Sequence, residues 1–113
     1  MHKPAEAPND LEKYFVERAN AGDVDGLVAL YEENATLACD DGTVLVGVRQ
    51  IREFFVEYLK SRPRLEPSDQ SEALCCGDLA LTSSRHSNGG VSAEIARRQP
   101  DGCWLWVVDR FSV

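Results

Sequence analysis

From Leu74 to Phe111 the chain reads as four strand-length runs set apart by tight turn signals, and this pattern limits the fold more than any other feature. The runs are Leu74 to Cys76, Leu79 to Arg85, Val91 to Arg98 and Cys103 to Phe111. Gly77-Asp78, Asn88-Gly89-Gly90 and Pro100-Asp101-Gly102 separate them. Glycine, asparagine and aspartate at these points supply the positive φ angles and the side-chain-to-backbone bonds that hairpin turns need. Connections this short join antiparallel neighbours, so the second half of the chain is expected to be an antiparallel meander.

The first half has helical periodicity instead. Asn9 starts a helix, with Glu12 three residues on as in a capping box. Leu11, Phe15 and Ala19 form its buried stripe, and Gly22 stops it. Asp23 can cap a second helix on which Val24, Leu27, Val28 and Tyr31 share a face, ending at Asn34. Ala35 to Cys39 and Thr43 to Val46 read as a short hairpin about the turn Asp40-Asp41-Gly42. Gly47 opens a third helix with Ile51, Phe54, Phe55, Tyr58 and Leu59 on one face, closed by Pro63. Ser61 to Glu72 is polar and holds Pro63 and Pro67, as a loop or sheet edge would. Helices segregated from an antiparallel sheet mean an α+β domain. It is expected to span residues 9–113 behind a flexible arm at 1–8.

Charge and cysteine usage exclude several function classes. In 113 residues there are 12 basic and 19 acidic side chains, a net charge of −7. With no compensating basic cluster, nucleic-acid binding is not expected. No apolar run is long enough to cross a bilayer, and Met1 to Asn9 is too polar for a secretory signal, so a cytoplasmic location is expected. Cys39, Cys75, Cys76 and Cys103 form no CxxC pair, and His2 and His86 stand alone. No metal site is expected, and the thiols read as reduced and buried. There is no phosphate loop, dinucleotide fingerprint or HExxH motif, so any chemistry should need no cofactor.

Asn20-Ala21-Gly22-Asp23-Val24-Asp25-Gly26-Leu27-Val28-Ala29-Leu30-Tyr31, continuing into Ala35-Thr36-Leu37, resembles the helix-turn-helix of ketosteroid isomerase and SnoaL-type proteins. Gly47 with Ile51-Arg52-Glu53-Phe54 is similar to their third helix, and Gln99-Pro100-Asp101-Gly102-Cys103-Trp104 to the last hairpin of small SnoaL-like proteins. The resemblance implies the nuclear transport factor 2-like, cystatin-like cone: three helices packed on a strongly curved antiparallel sheet. It also implies a small-molecule space between the layers. Carried over by position, the isomerase tyrosine falls on Phe15, its aspartate base on Cys39 and its second acid on Glu94. Phenylalanine cannot donate to an oxyanion, so steroid isomerisation by that mechanism is not expected.

Phe15, Tyr31, Cys39, Phe54, Tyr58, Glu94, Trp104 and Trp106 are the candidate pocket residues. Glu94 and Asp40 are the candidate catalytic carboxylates. Glu94 could instead be a solvated carboxylate paired with Arg97 or Arg98, and Asp40 and Asp41 could serve the turn alone. Cys39 could be a nucleophile if its thiolate were stabilised, or a small buried hydrophobe. Strict alternation puts Trp104 and Trp106 on one strand face and Leu105 and Asp109 on the other. His86 reads as a surface residue. Three functions fit: an apolar small-molecule binding protein, a cofactor-free isomerase, cyclase or dehydratase, and a non-catalytic interaction module. A homodimer through the outer sheet face is expected.

Overall fold

The computed structural model describes residues 2–113. The chain runs α1 (Asp10–Asn20), α2 (Val24–Val28), β1 (Tyr31–Ala38), β2 (Val44–Val46), α3 (Val48–Lys60), β3 (Asp69–Gln70), β4 (Leu74–Cys76), β5 (Leu79–Arg85), β6 (Val91–Arg98) and β7 (Trp104–Arg110). The strands form one sheet in the order β2-β1-β7-β6-β5-β3, with β4 also on β5. The helices pack against its inner face. The α+β class and the order of elements match the expectation. The sheet itself is mixed, because β1 lies parallel to β7 while every other pair is antiparallel. A short-turn pattern reports only on sequential neighbours, and β1 and β7 are far apart in sequence.

Three local expectations change. The second helix stops at Val28, and Tyr31 is the first residue of β1 rather than the last of α2. Asp23 does cap α2, accepting from the Gly26 amide at 2.9 Å. Gly26 is buried so tightly between Asp23 and Arg18 that a methyl group there would collide with both. The capping box at Asn9 does not form. Asn9 instead donates to Gln70 Oε1 at 2.9 Å, tying α1 to the sheet edge, while Glu12 turns inward. The N-terminal arm is docked. Ala5 is 3% exposed, and its carbonyl accepts from the Trp104 amide at 2.8 Å. Buried Arg18 donates to the Lys3 carbonyl at 2.6 Å and the Gly26 carbonyl at 2.9 Å, strapping arm and helix together.

The core is the meeting of three stripes. Leu11 and Ala19 of α1, Leu27 of α2 and Ile51 and Phe55 of α3 close on Leu37, Ala96 and Trp106 of the sheet. A buried side chain of this size contributes on the order of 1.5–3 kcal/mol.

One irregularity in β7 decides what faces inward. Ile95 pairs with Val108, but the next residue of β6, Ala96, pairs with Trp106, which leaves Val107 as an extra residue. Such a bulge resets the alternation of side chains. Trp104 and Trp106 point to the helices, and beyond Val107 so does Asp109, 2% exposed. Uninterrupted alternation would have put Asp109 outside.

Candidate functional site

Between α1, α3 and the inner face of β6 and β7 remains a cavity of about 760 Å³. Its apolar wall is aromatic: Phe15 from α1, Phe54 and Tyr58 from α3, Trp106 from β7 and Phe111 beyond it. Phe54 and Tyr58 stack with ring centroids 5.7 Å apart, and Phe15 lies 5.9 Å from Trp106. These are ordinary aromatic packing distances, so the rings are held firmly where they border the hollow.

Acids border the same hollow, on β6, β7 and α1. Glu94 lies on the inward register of β6, between Ser92 and Ala96. Its cross-strand neighbours are Thr82 on β5 and Asp109 on β7. The Thr82 hydroxyl donates to Glu94 at 2.8 Å, and the Tyr31 hydroxyl donates to Asp109 at 2.6 Å. Glu12 reaches the same space from α1 and accepts from Ser68 at 3.0 Å. All three carboxyls line the cavity, and all are at least nine-tenths buried. Among the described residues none of them has an ion-pair partner.

Burial without a cation nearby disfavours the charged form of a carboxyl and raises its pKa. Burial, then the charge of Glu94, pushes Glu12 up to about 7. Burial raises Glu94, against the opposing bonds from Thr82 and Ser92. Asp109 lies well above the usual carboxylate range, through burial first and Glu94 second, with the Tyr31 bond opposing. Like charges directly opposite across two strands repel, so Glu94 and Asp109 titrate as a pair.

The structure brings six of the eight candidate pocket residues together: Phe15, Cys39, Phe54, Tyr58, Glu94 and Trp106. Tyr31 stands behind the wall, touching the site through Asp109. Trp104 does not reach the cavity. It lies under the N-terminal arm beside Ala5 and Leu30, in a separate depression. Asp40 and Asp41 sit exposed at the cavity mouth, with Asp41 held by the Thr43 amide at 2.9 Å. The ion pairs imagined for Glu94 are absent: Arg97 binds Glu32 at 3.0 Å and Arg98 binds Asp78 at 2.7 Å. The Cys39 thiol is pushed up by burial, then by Asp41 and Asp40, which opposes a nucleophilic thiolate. Cys75 and Cys76 are exposed on an edge strand, not buried. His86 is not a plain surface residue. It lines the cavity and lies 3.0 Å from the Ser92 hydroxyl.

The sequence reading missed Glu12, Asp109, Ser92 and Phe111. Glu12 could have been found from the helical wheel, one position round from Leu11 on the same side as Phe15 and Val16. Asp109 could not, because nothing in Val107-Val108 announces a bulge. Among the described residues no group of histidine, cysteine and carboxylate side chains is placed to hold a metal ion.

A family profile for the SnoaL-like domain matches residues 11–113. The chain belongs to the SnoaL-like domain family. Solved structures share the fold. A Mycobacterium tuberculosis protein of unknown function is 21% identical with a TM-score of 0.72; the match covers 90% of this chain and 66% of that one, so the chain spans just under two thirds of its length. A candidate dehydratase of the nuclear transport factor 2-like family from Streptomyces avermitilis is 15% identical with a TM-score of 0.75, covering 90% of each chain. A ketosteroid isomerase-like protein from Erwinia carotovora atroseptica is 14% identical with a TM-score of 0.77, covering 90% of this chain and 89% of that one. No curated protein matches this SnoaL-like chain in sequence. The fold they share commonly serves as a scaffold for small-molecule binding or enzymes, and identities this low speak for fold alone.

Proposed function

We propose that this SnoaL-like protein binds a small, partly apolar organic molecule in the cavity and moves protons on it without a cofactor. The single observation that carries this is the cross-strand pair Glu94 and Asp109, buried without a cation on the wall of an otherwise aromatic hollow. A carboxyl kept neutral by burial can donate a proton, and a neighbour that ionises more readily can accept one. Tyr31 occupies Asp109 Oδ2, which leaves Oδ1 to carry the acid's proton. Glu94, with a donor from Thr82, is then the easier of the two to ionise and is the base. Abstracting a proton at one carbon and returning it nearby is the step shared by isomerases, cyclases and dehydratases. Asp40, the other sequence candidate, lies exposed at the mouth and takes no part in this step.

The test is proton exchange into enones and β-hydroxy ketones in D₂O, followed by NMR. The native chain is expected to accelerate exchange, with Glu94→Gln and Asp109→Asn each slowing it by about a hundredfold. Rates unchanged in both variants would leave ligand binding without catalysis as the surviving reading. A hollow of about 760 Å³ weighs against the collapsed interaction module.

The outer sheet face belongs to the same reading. Leu74, Leu81, Ile95 and Val108 form one cross-strand row, continued through Thr36 to Val46. Leu74, Leu81, Ile95, Val108 and Val46 are all exposed. The row is apolar on both sides of Ile95, so a second copy can lie on it about a two-fold axis. A monomer at micromolar concentration in sedimentation would remove the dimer. Among the described residues no helix is long and apolar enough to cross a membrane, and four free cysteines suit the cytoplasm proposed for the chain.

A further inference from the structure

We propose that the molecule taken by this cavity is an organic cation: a protonated amine on a small apolar body that also carries an oxygen acceptor. The inference rests on the reading of the cavity as a ligand site and adds the charge of what enters it.

Charge comes first. Carboxyls reach the lining from every side: Glu12 on α1, Asp40 and Asp41 after β1, Glu66 after α3, Glu94 on β6 and Asp109 on β7. Against these six stand Arg64, an exposed residue after α3, and His86 in the turn before β6. Asp40, Asp41 and Glu66 are exposed at the cavity mouth, where they repel an anion and concentrate cations, as the net charge of −7 does for the whole chain, and the carboxyls of Glu12, Glu94 and Asp109 behind them can ionise against a cation.

The rings come second. An ammonium is drawn to the face of an aromatic ring, most strongly where water is excluded. Phe15, Phe54, Tyr58, Trp106 and Phe111 form a continuous aromatic wall beside the acids. A neutral apolar ligand would use the rings but give the carboxyls nothing to ionise against. A hydrated metal ion would use the acids but not the rings. An organic ammonium uses both.

The third observation is an unmet donor. Trp106 is 1% exposed and lines the cavity, and among the described residues its indole N–H has no hydrogen-bond partner. Buried donors are nearly always paired. An ether or hydroxyl oxygen on the ligand supplies the missing acceptor.

Entry of the cation has a further consequence. Burial raises Glu12, Glu94 and Asp109, and the charge of Glu94 adds to it at Glu12 and Asp109. A cation beside them favours the ionised forms, so binding at neutral pH expels protons to solvent.

The experiment is calorimetric titration of the full chain at pH 7.5 and low salt with three matched probes: 3-phenoxypropylamine, 3-phenoxypropan-1-ol and 3-phenoxypropanoate. The amine is expected to bind about tenfold or more tightly than the alcohol, and the carboxylate not at all. The amine's heat should differ between Tris and phosphate by the amount that proton release requires. Glu94→Gln and Asp109→Asn, each checked for folding by thermal unfolding, should weaken the amine about tenfold and the alcohol by less than about twofold. Should one variant fail to fold, the other and the probe series on the native chain still decide. Alcohol binding equal to the amine's, tighter carboxylate binding, or an amine affinity unmoved in both variants overturns the cation while leaving the cavity as a ligand site. If no probe binds and the Trp106 indole resonance does not move, the ligand-site reading falls with it.

Discussion

Trp104 and Trp106 stand two residues apart on the same face of one strand, yet they border opposite ends of the interior. Around Trp104 the chain closes on itself: the arm pairs at Ala5, Leu30 packs beneath, and the nearby charge, Arg18, meets backbone carbonyls. Around Trp106 the helices stand off from the sheet, the rings border the cavity, and among the described residues the buried carboxyls have no cation beside them. A protein folding only for stability has no reason to treat its two ends differently. Buried carboxyls without partners cost stability, and sites are where such costs are tolerated.

The largest expected effect sets packing at the two ends against each other. Leu30→Ala, at the sealed end, should cost about 2–5 kcal/mol, since the site cannot collapse. Phe54→Ala, whose ring borders the hollow, should cost no more than about 2 kcal/mol, because part of its surface is not packed. Urea unfolding of the two variants measures both, and equal costs would break the contrast.

Next comes pH. Glu12 holds its proton to about 7 in the folded chain and to about its ordinary 4.5 when unfolded. Its folded pKa is raised, so its contribution to stability is complete below 4.5 and is lost as pH rises through 7. The loss is about 3 kcal/mol across that window, with Glu94 and Asp109 acting in the same direction. Asp23 and Asp41, lowered by backbone amides at exposed turns, act oppositely but only as pH falls below their unfolded value of 3.8. Unfolding free energies at pH 5 and 7.5 should therefore fall with rising pH, and Glu12→Gln should flatten the slope. A slope of the opposite sign would sink the description of the open end.

How much of this was legible in the sequence depends on which end of β7 is considered. The turns and the helix stripes follow from spacing, because local sequence determines them, whereas the face of Glu94 stays open between the pocket and a pairing with Arg97 or Arg98. Period-2 counting puts Trp104 and Trp106 on one shared face, which the structure turns inward. It fails at Val107, since an extra residue in one strand is settled by the neighbouring strand and leaves no mark in composition. Tyr31 was misplaced for a similar reason: its spacing from Val24 suits a helix, but α2 is only five residues long and tertiary pairing with Trp106 takes Tyr31 into β1. The arm looked loose because Pro4, Ala5 and Pro8 have no periodicity. What docks it is a buried arginine on another element.

The smallest effect concerns that strap. Arg18→Gln should cost about 2 kcal/mol through the lost bonds to Lys3 and Gly26. Hydrogen exchange at the Trp104 amide should quicken while the Trp106 amide, held by the Leu30 carbonyl at 2.8 Å, stays protected. Quickening at both would mean that the two ends open together.

The most direct measurement is a carboxyl-carbon NMR titration of the uniformly labelled chain, following Glu12, Glu94 and Asp109 one by one. Glu12 should ionise near 7, Glu94 above the ordinary glutamate value and Asp109 far above that of aspartate. Midpoints near 4 for all three would mean that water or a cation already satisfies them, and the proton-holding wall on which the account depends would not exist.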